Sequence, residues 1–158
     1  MAVTVILINA ASIATVWSAY RSDYAEIIES FHLLPPGSTI LIARSDGSGG
    51  VDTPMFYAPT LAAHYANAFV PSLYNMSGPI KKAPSKSRFE IEDSRDYLPT
   101  PISQLNSASA GGPAPAHVRG WRTDYDYLYV VGDQTASVPD HLTIMMRSRR
   151  FTLYAIGK

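Results

Sequence analysis

The first twenty residues, MAVTVILINAASIATVWSAY, contain no Asp, Glu, Lys or Arg, and this uncharged run constrains the fold more than any other feature of the chain. One interpretation is a buried parallel strand over residues 3–8, because VTVILI is β-branched and continuously apolar, like strands covered on both faces. The other is an apolar helix over residues 1–20, since about twenty residues span a bilayer. Trp17 and Tyr20 would then anchor at the membrane interface, followed by Arg21. The run lacks the basic start and cleavage site of a signal peptide.

From Trp17 onward the apolar residues recur at steps of three and four, which is typical of one helical stripe. The stripe consists of Trp17, Tyr20, Tyr24, Ile27 or Ile28, Phe31 and Leu34. Asp23, Glu26 and Glu29 lie off the stripe, and the helix is expected to end at Pro35-Pro36. The pattern predicts a helix that leaves a bilayer and docks on a folded domain. One Arg against three acidic residues on this flank favours the non-cytoplasmic side.

The rest of the chain alternates between predicted strands and helices. Strands are predicted at 38–43, 127–131 and 151–156, with a further short one within 69–74, and helices at 60–69 and 139–147. Residues 75–120 have little pattern and are interpreted as an irregular insertion, with room for a short strand at 89–91 and a short helix at 102–105. The alternation predicts an α/β fold, a three-layer Rossmann-like and mostly parallel sheet of about four or five strands preceded by a long N-terminal helix. The chain is thus divided into a membrane helix or its remnant at 1–20 and a single α/β domain at 21–158.

Composition excludes several classes of function. Thirteen basic and thirteen acidic residues balance among 158, so the chain has no general attraction for nucleic acid, and no nucleic-acid partner is expected. There are no cysteines, which excludes disulfides, thiolate metal sites and thiol catalysis. The four histidines show no metal-binding spacing, so neither a metal nor another cofactor is expected.

Candidate site residues are few. Asp46 and Asp133 each follow a predicted strand, at the sheet edge where α/β proteins bind ligands, and His64 near the start of its helix could join them. The alternative is that both aspartates cap turns or helices. The glycine-rich RSDGSGG at 44–50 lacks the spacing of a phosphate loop. The basic MMRSRR at 145–150 could meet phosphate or lipid headgroups, or complement a helix dipole.

Several of these segments together resemble a known class of protein. They are the W..Y...YAEIIESFHLLPPGSTILIA run from Trp17, the Ala-rich helix with His64, AFVPSLYNMSGPI, GWRTDYDYLYVVG and the closing RFTLYAIGK. The chain from Trp17 onward resembles the C-terminal extracytoplasmic region of large bacterial multi-spanning membrane proteins. Some of those are grouped with membrane glycosyltransferases that use lipid-linked sugars. In that class the catalytic acid lies on an external loop near the first membrane helices, and nothing in this chain corresponds to that loop.

The resemblance implies a non-catalytic accessory or binding domain of a bacterial membrane protein, linked to envelope glycan transfer. Its implied partners are the membrane, through the N-terminal segment, and a lipid-linked sugar or another protein. The implied location is the inner membrane, with the domain in the periplasm. Two alternatives stay open. One is a self-contained, soluble and cytoplasmic Rossmann-like enzyme or nucleotide binder whose first strand is 3–8, and the other is a structural interaction module without a small ligand.

Overall fold

The computed structural model describes residues 2–46, 53–71, 99–132 and 138–157. Its first element is a long helix, α1 (Ala2–Ser30), which continues into a 3-10 turn at Phe31–Leu33. The strand interpretation of residues 3–8 is therefore wrong. Helix-favouring alanines follow the apolar run where a strand would need a turn, so the helix continues through it. The helix ends ahead of the two prolines, as predicted.

The centre of the fold is a five-stranded mixed sheet. Its strands are β1 (Ile40–Arg44), β2 (Thr100–Pro101), β3 (Tyr127–Val131), β4 (Leu142–Arg147) and β5 (Phe151–Ile156), in the order β2-β1-β3-β5-β4. β1 is parallel to both β2 and β3, whereas β5 is antiparallel to both β3 and β4. The α/β class, the strand number and the N-terminal helix are confirmed, but β5 runs against the other four strands.

The segment predicted as a helix at 139–147 is instead strand β4, so that prediction is wrong. Residues 148–150 turn the chain back, with the Ser148 N–H donating to the Phe151 carbonyl at 2.8 Å, and β4 pairs with β5. The register shifts between Ile144 and Met146, which marks a β-bulge. The short apolar run LTIMMR fits either a helix or a strand, and the pairing with β5 decides.

Short helices cover the sheet. They are α2 (Thr53–Tyr57), a 3-10 turn at Ala58–Leu61, α3 (Ala62–Tyr65), α4 (Ile102–Ser109), α5 (Ala116–Arg119) and α6 (Trp121–Asp124). The helix predicted at 60–69 is thus shorter and ends before Asn67, whose φ is 50°. Within the segment interpreted as an irregular insertion, residues 99–120 include β2, α4 and α5. Residues 72–98, with the strand predicted at 89–91, lie outside the described residues. Of the short strand predicted within 69–74, Phe69 forms an isolated bridge with Thr39.

Two apolar clusters lie on opposite faces of the sheet. On one face, Ile40, Tyr129 and Phe151 pack with α2, α3 and the second half of α1. Ile27 of that helix and Phe31 of the 3-10 turn after it are buried there. On the other face, the alternate strand residues pack with Trp121 of α6 and with the buried residues of α4 and α5. Alternation along buried strands sends successive side chains to opposite faces, and the result is a helix–sheet–helix arrangement.

Candidate functional site

The topology places a switch point at the carboxyl ends of β1 and β3. The connection after β1 leads to β2 and the connection after β3 leads to β4, on the opposite side of the β1–β3 pair, and such switch points are where α/β sheets bind ligands. Asp46 follows β1 at this edge. Its Oδ1 accepts a 2.8 Å hydrogen bond from the Ser103 hydroxyl and a longer one, at 3.4 Å, from the Ser103 N–H. Ser103 is in the first turn of α4, so the carboxylate caps that helix.

The other two predicted site residues are not joined to Asp46 by any contact that the structure describes. His64 is exposed on α3, in the layer that also contains α1, and its ring meets Tyr65 edge-on at 4.9 Å. Asp133 lies outside the described residues. Asp46 therefore has a structural role in this geometry, and a shared site with His64 and Asp133 stays a prediction.

Sequence reasoning did not single out the buried hydroxyl–imidazole pair beside this edge. Thr100 in β2 and His117 in α5 are both buried, with 3.3 Å between Thr100 Oγ1 and His117 Nε2. The Tyr125 hydroxyl donates to the His117 carbonyl at 3.1 Å and thereby holds α5 in place. Because both side chains are almost inaccessible to solvent, we interpret this pair as a contact that joins β2 to α5 in the interior. Over the described ranges, no group of three His, Cys, Asp or Glu side chains could hold a metal ion.

The first half of α1 presents a different kind of surface. We call residues 5–18 the apolar segment. Every side chain described within it is exposed, with Ile6 at 65% and Trp17 at 75%. Two of its hydroxyl groups bond within the helix, since Ser12 donates to the Ile8 carbonyl at 2.9 Å and Thr15 to the Ala11 carbonyl at 2.8 Å. This pattern lowers the cost of burying the hydroxyls in an apolar environment.

The helix reaches the folded body at residues 20–30, a stretch we call the base of α1. The Asp23 carboxylate is buried and accepts from Arg149 Nη2 at 3.2 Å and from Arg150 Nε at 2.7 Å. Ser148, in the same turn between β4 and β5, donates to Glu26. These contacts clamp the turn onto the helix. They involve residues more than 120 positions apart, so no local pattern could predict them.

Deeper in the base, the helix is joined to the sheet through a buried tyrosine. The hydroxyl groups of Ser30 and Tyr129 are 2.6 Å apart, and the Ser30 hydroxyl also donates to the Ile27 carbonyl. Burial raises the pKa of the Tyr129 phenol well above its usual value, which keeps it neutral, while the Ser30 hydrogen bond acts in the opposite direction. The second half of α1 is thus an integral part of the core.

A concavity of about 750 Å³ lies along the junction between the apolar segment and the base of α1. Its described lining is mainly apolar and includes the rings of Trp17, Tyr20 and Tyr24, with Arg21 beside them. The Arg150 guanidinium lies 5.3 Å from the centre of the Tyr20 ring, which holds that ring against the turn.

Within the part of the chain that the structure covers, no helix has both the length and the apolar character needed to cross a membrane. Comparison of the chain with protein-family models, with curated proteins and with solved structures finds no match.

Proposed function

We propose that this chain is a non-catalytic accessory domain held at a bacterial membrane by insertion of the apolar segment of α1 into the lipid. The observation that carries the proposal is the exposure of that segment. Six large apolar side chains there are each more than half exposed: Val5, Ile6, Ile8, Ile13, Val16 and Trp17. Covering such a side chain with an apolar environment gains roughly 1.5–3 kcal/mol. A contiguous exposed surface of this kind marks a binding region.

Lipid is favoured over a protein groove because the segment is exposed around its whole circumference. A helix that docks in a groove presents one apolar stripe and one polar face, whereas a helix without a charged face suits hydrocarbon. Fourteen residues at about 1.5 Å each give about 21 Å, compared with a hydrocarbon thickness of about 30 Å. The proposal therefore requires insertion and does not require a complete crossing.

The non-catalytic part of the proposal is supported by the sheet edge. Asp46, the one described residue among the predicted ligands at that edge, is engaged in capping α4. A self-contained Rossmann-like enzyme is less well supported, because its proposed first strand is part of α1. The β2-β1-β3 portion has the parallel pairing of such folds, and the antiparallel β5 departs from it. A periplasmic location and a link to envelope glycan transfer, through a lipid-linked sugar, rest on the resemblance alone.

Co-flotation with phosphatidylcholine vesicles tests the anchor. The full chain is expected to float with the vesicles, and Ile13→Lys is expected to lower the partition coefficient roughly a hundredfold, because a central charge costs about 2.5–3.5 kcal/mol in hydrocarbon. Ile144→Lys is a matched control, since Ile144 is 49% exposed on β4, away from the apolar segment. It should float like the unmodified chain. A full chain that stays monodisperse in buffer and does not float would contradict the proposal.

A further inference from the structure

We propose that the base of α1 binds the headgroups of anionic phospholipids, with the Arg21 and Arg149 guanidinium groups contacting phosphate beside the aromatic concavity. The inference rests on the membrane anchor proposed above and names the lipid class that the anchor prefers. The chain as a whole is neutral, so any preference for anionic lipid must come from a local arrangement of charge.

The fold creates this arrangement by bringing a distant turn to the helix. In the sequence, Arg21 is the only basic residue beside three acidic ones on this flank. In the structure, Arg149 and Arg150 join it by sharing the single carboxylate of Asp23. Asp23 is only 3% exposed, whereas the Arg149 side chain is 69% exposed. The Asp23 charge is thus covered, whereas the Arg149 guanidinium faces solvent. Glu26, which accepts from Ser148, and the exposed Glu29 lie further along the helix.

The height of these groups along α1 matches the headgroup region. Trp17 is near the end of the apolar segment, where an indole ring anchors at the membrane interface. Asp23, which marks the level of the Arg149 guanidinium, follows six residues later and is about 9 Å further along the axis. The headgroup layer on each side of the hydrocarbon is about 5–8 Å thick. Arg21, about 6 Å beyond Trp17, would therefore lie within this layer when Trp17 is at the boundary, and the Arg149 guanidinium would lie at its outer limit.

The concavity beside these groups supplies the apolar part of a lipid site. Trp17, Tyr20 and Tyr24 line it, and its volume of about 750 Å³ is within the range of pockets that take small ligands. A lipid in this position would place its first acyl carbons against Trp17 and its phosphate by the guanidinium groups. Guanidinium is suited to this contact because two parallel N–H donors match two phosphate oxygens.

The test compares the full chain on two kinds of vesicle at about 0.1 M NaCl: phosphatidylcholine alone, and two parts phosphatidylcholine with one part phosphatidylglycerol. We expect tighter partitioning into the anionic vesicles. Arg21→Gln/Arg149→Gln should lower that partition coefficient roughly thirtyfold, since each basic side chain at an anionic surface contributes about fivefold. Binding to phosphatidylcholine should be unchanged. About 1 M NaCl, which shortens the screening length to about 3 Å, should remove the preference.

The control Arg119→Gln/Arg122→Gln makes the same change in net charge on α5 and α6, across the sheet from α1, and should keep the preference. Thermal unfolding checks that each variant folds. Should Arg149→Gln loosen the turn, Arg21→Gln alone keeps both arginine contacts to Asp23 and should still lose about fivefold. Equal partitioning of the unmodified chain into both vesicles would overturn the headgroup site and leave the anchor standing. Failure to bind either vesicle would overturn both.

Discussion

At the scale of single residues, the sequence predicts where a residue lies in the fold better than it predicts which partner its side chain contacts. The sequence places Asp46 just past a strand, and the structure confirms that position. Its partner Ser103 is 57 residues away, and only the fold brings the two together. Likewise, the helix-dipole interpretation of the basic MMRSRR segment assumed a helix. The segment is a strand and a turn, and two of its arginines neutralise a buried aspartate on α1.

A capping role for Asp46 predicts a graded response to substitution. Asp46→Ala should lower the free energy of unfolding by about 1 kcal/mol, the usual contribution of one hydrogen bond. Asp46→Asn should cost less, because its amide oxygen can still accept from Ser103. Urea denaturation measures both values, with Asp140→Ala as the control at an exposed aspartate. An unchanged stability in Asp46→Ala would contradict the cap and return the carboxylate to the list of ligand candidates.

At the scale of elements, the three inner strands were predictable and the two edge strands, β2 and β4, were not. β1, β3 and β5 are short apolar runs closed by turns, and burial on both faces of the sheet gives such runs one stable arrangement. β4 is partly exposed, and its sequence fits a helix equally well. Its strand form depends on pairing with β5, which is a tertiary contact. The secondary structure of residues 3–8, which belong to α1, was likewise ambiguous, because a continuous apolar run fits a buried strand or a buried helix.

Side chains buried on the central strands β1 and β3 should contribute most to the free energy of unfolding. Ile40 and Val131 are completely buried on the neighbouring strands β1 and β3, on the face covered by α1. Ile40→Ala or Val131→Ala should lower the free energy of unfolding by about 2–4 kcal/mol, with the valine nearer the lower value because it loses fewer carbon atoms. Ile144→Ala, at a half-exposed position on β4, is the control and should cost much less. Chemical denaturation provides the comparison. Equal losses at all three positions would contradict the assignment of β1 and β3 to the core.

At the scale of the whole molecule, α1 has two halves with different environments. The base of α1 contributes Ile27 to the core, the buried Asp23 carboxylate to the arginines of the β4–β5 turn and a hydrogen bond to Tyr129. The apolar segment contributes none of the buried core residues that the structure describes. The sequence predicted this division, since it changes from apolar all round to amphipathic near Trp17. The folded domain should therefore be independent of the apolar segment.

A chain that begins at Ala19 tests this independence. It retains Tyr20 against the Arg150 guanidinium and every described contact of the base of α1. Since the removed side chains between Val5 and Ser18 are exposed where described, their loss should change the free energy of unfolding by less than about 1 kcal/mol. The shortened chain should be monomeric by light scattering and should not float with phosphatidylcholine vesicles, whereas the full chain should. Loss of cooperative unfolding in the shortened chain would show that residues before Ala19 belong to the core, and the exposed helix would then need a structural explanation in place of a membrane one.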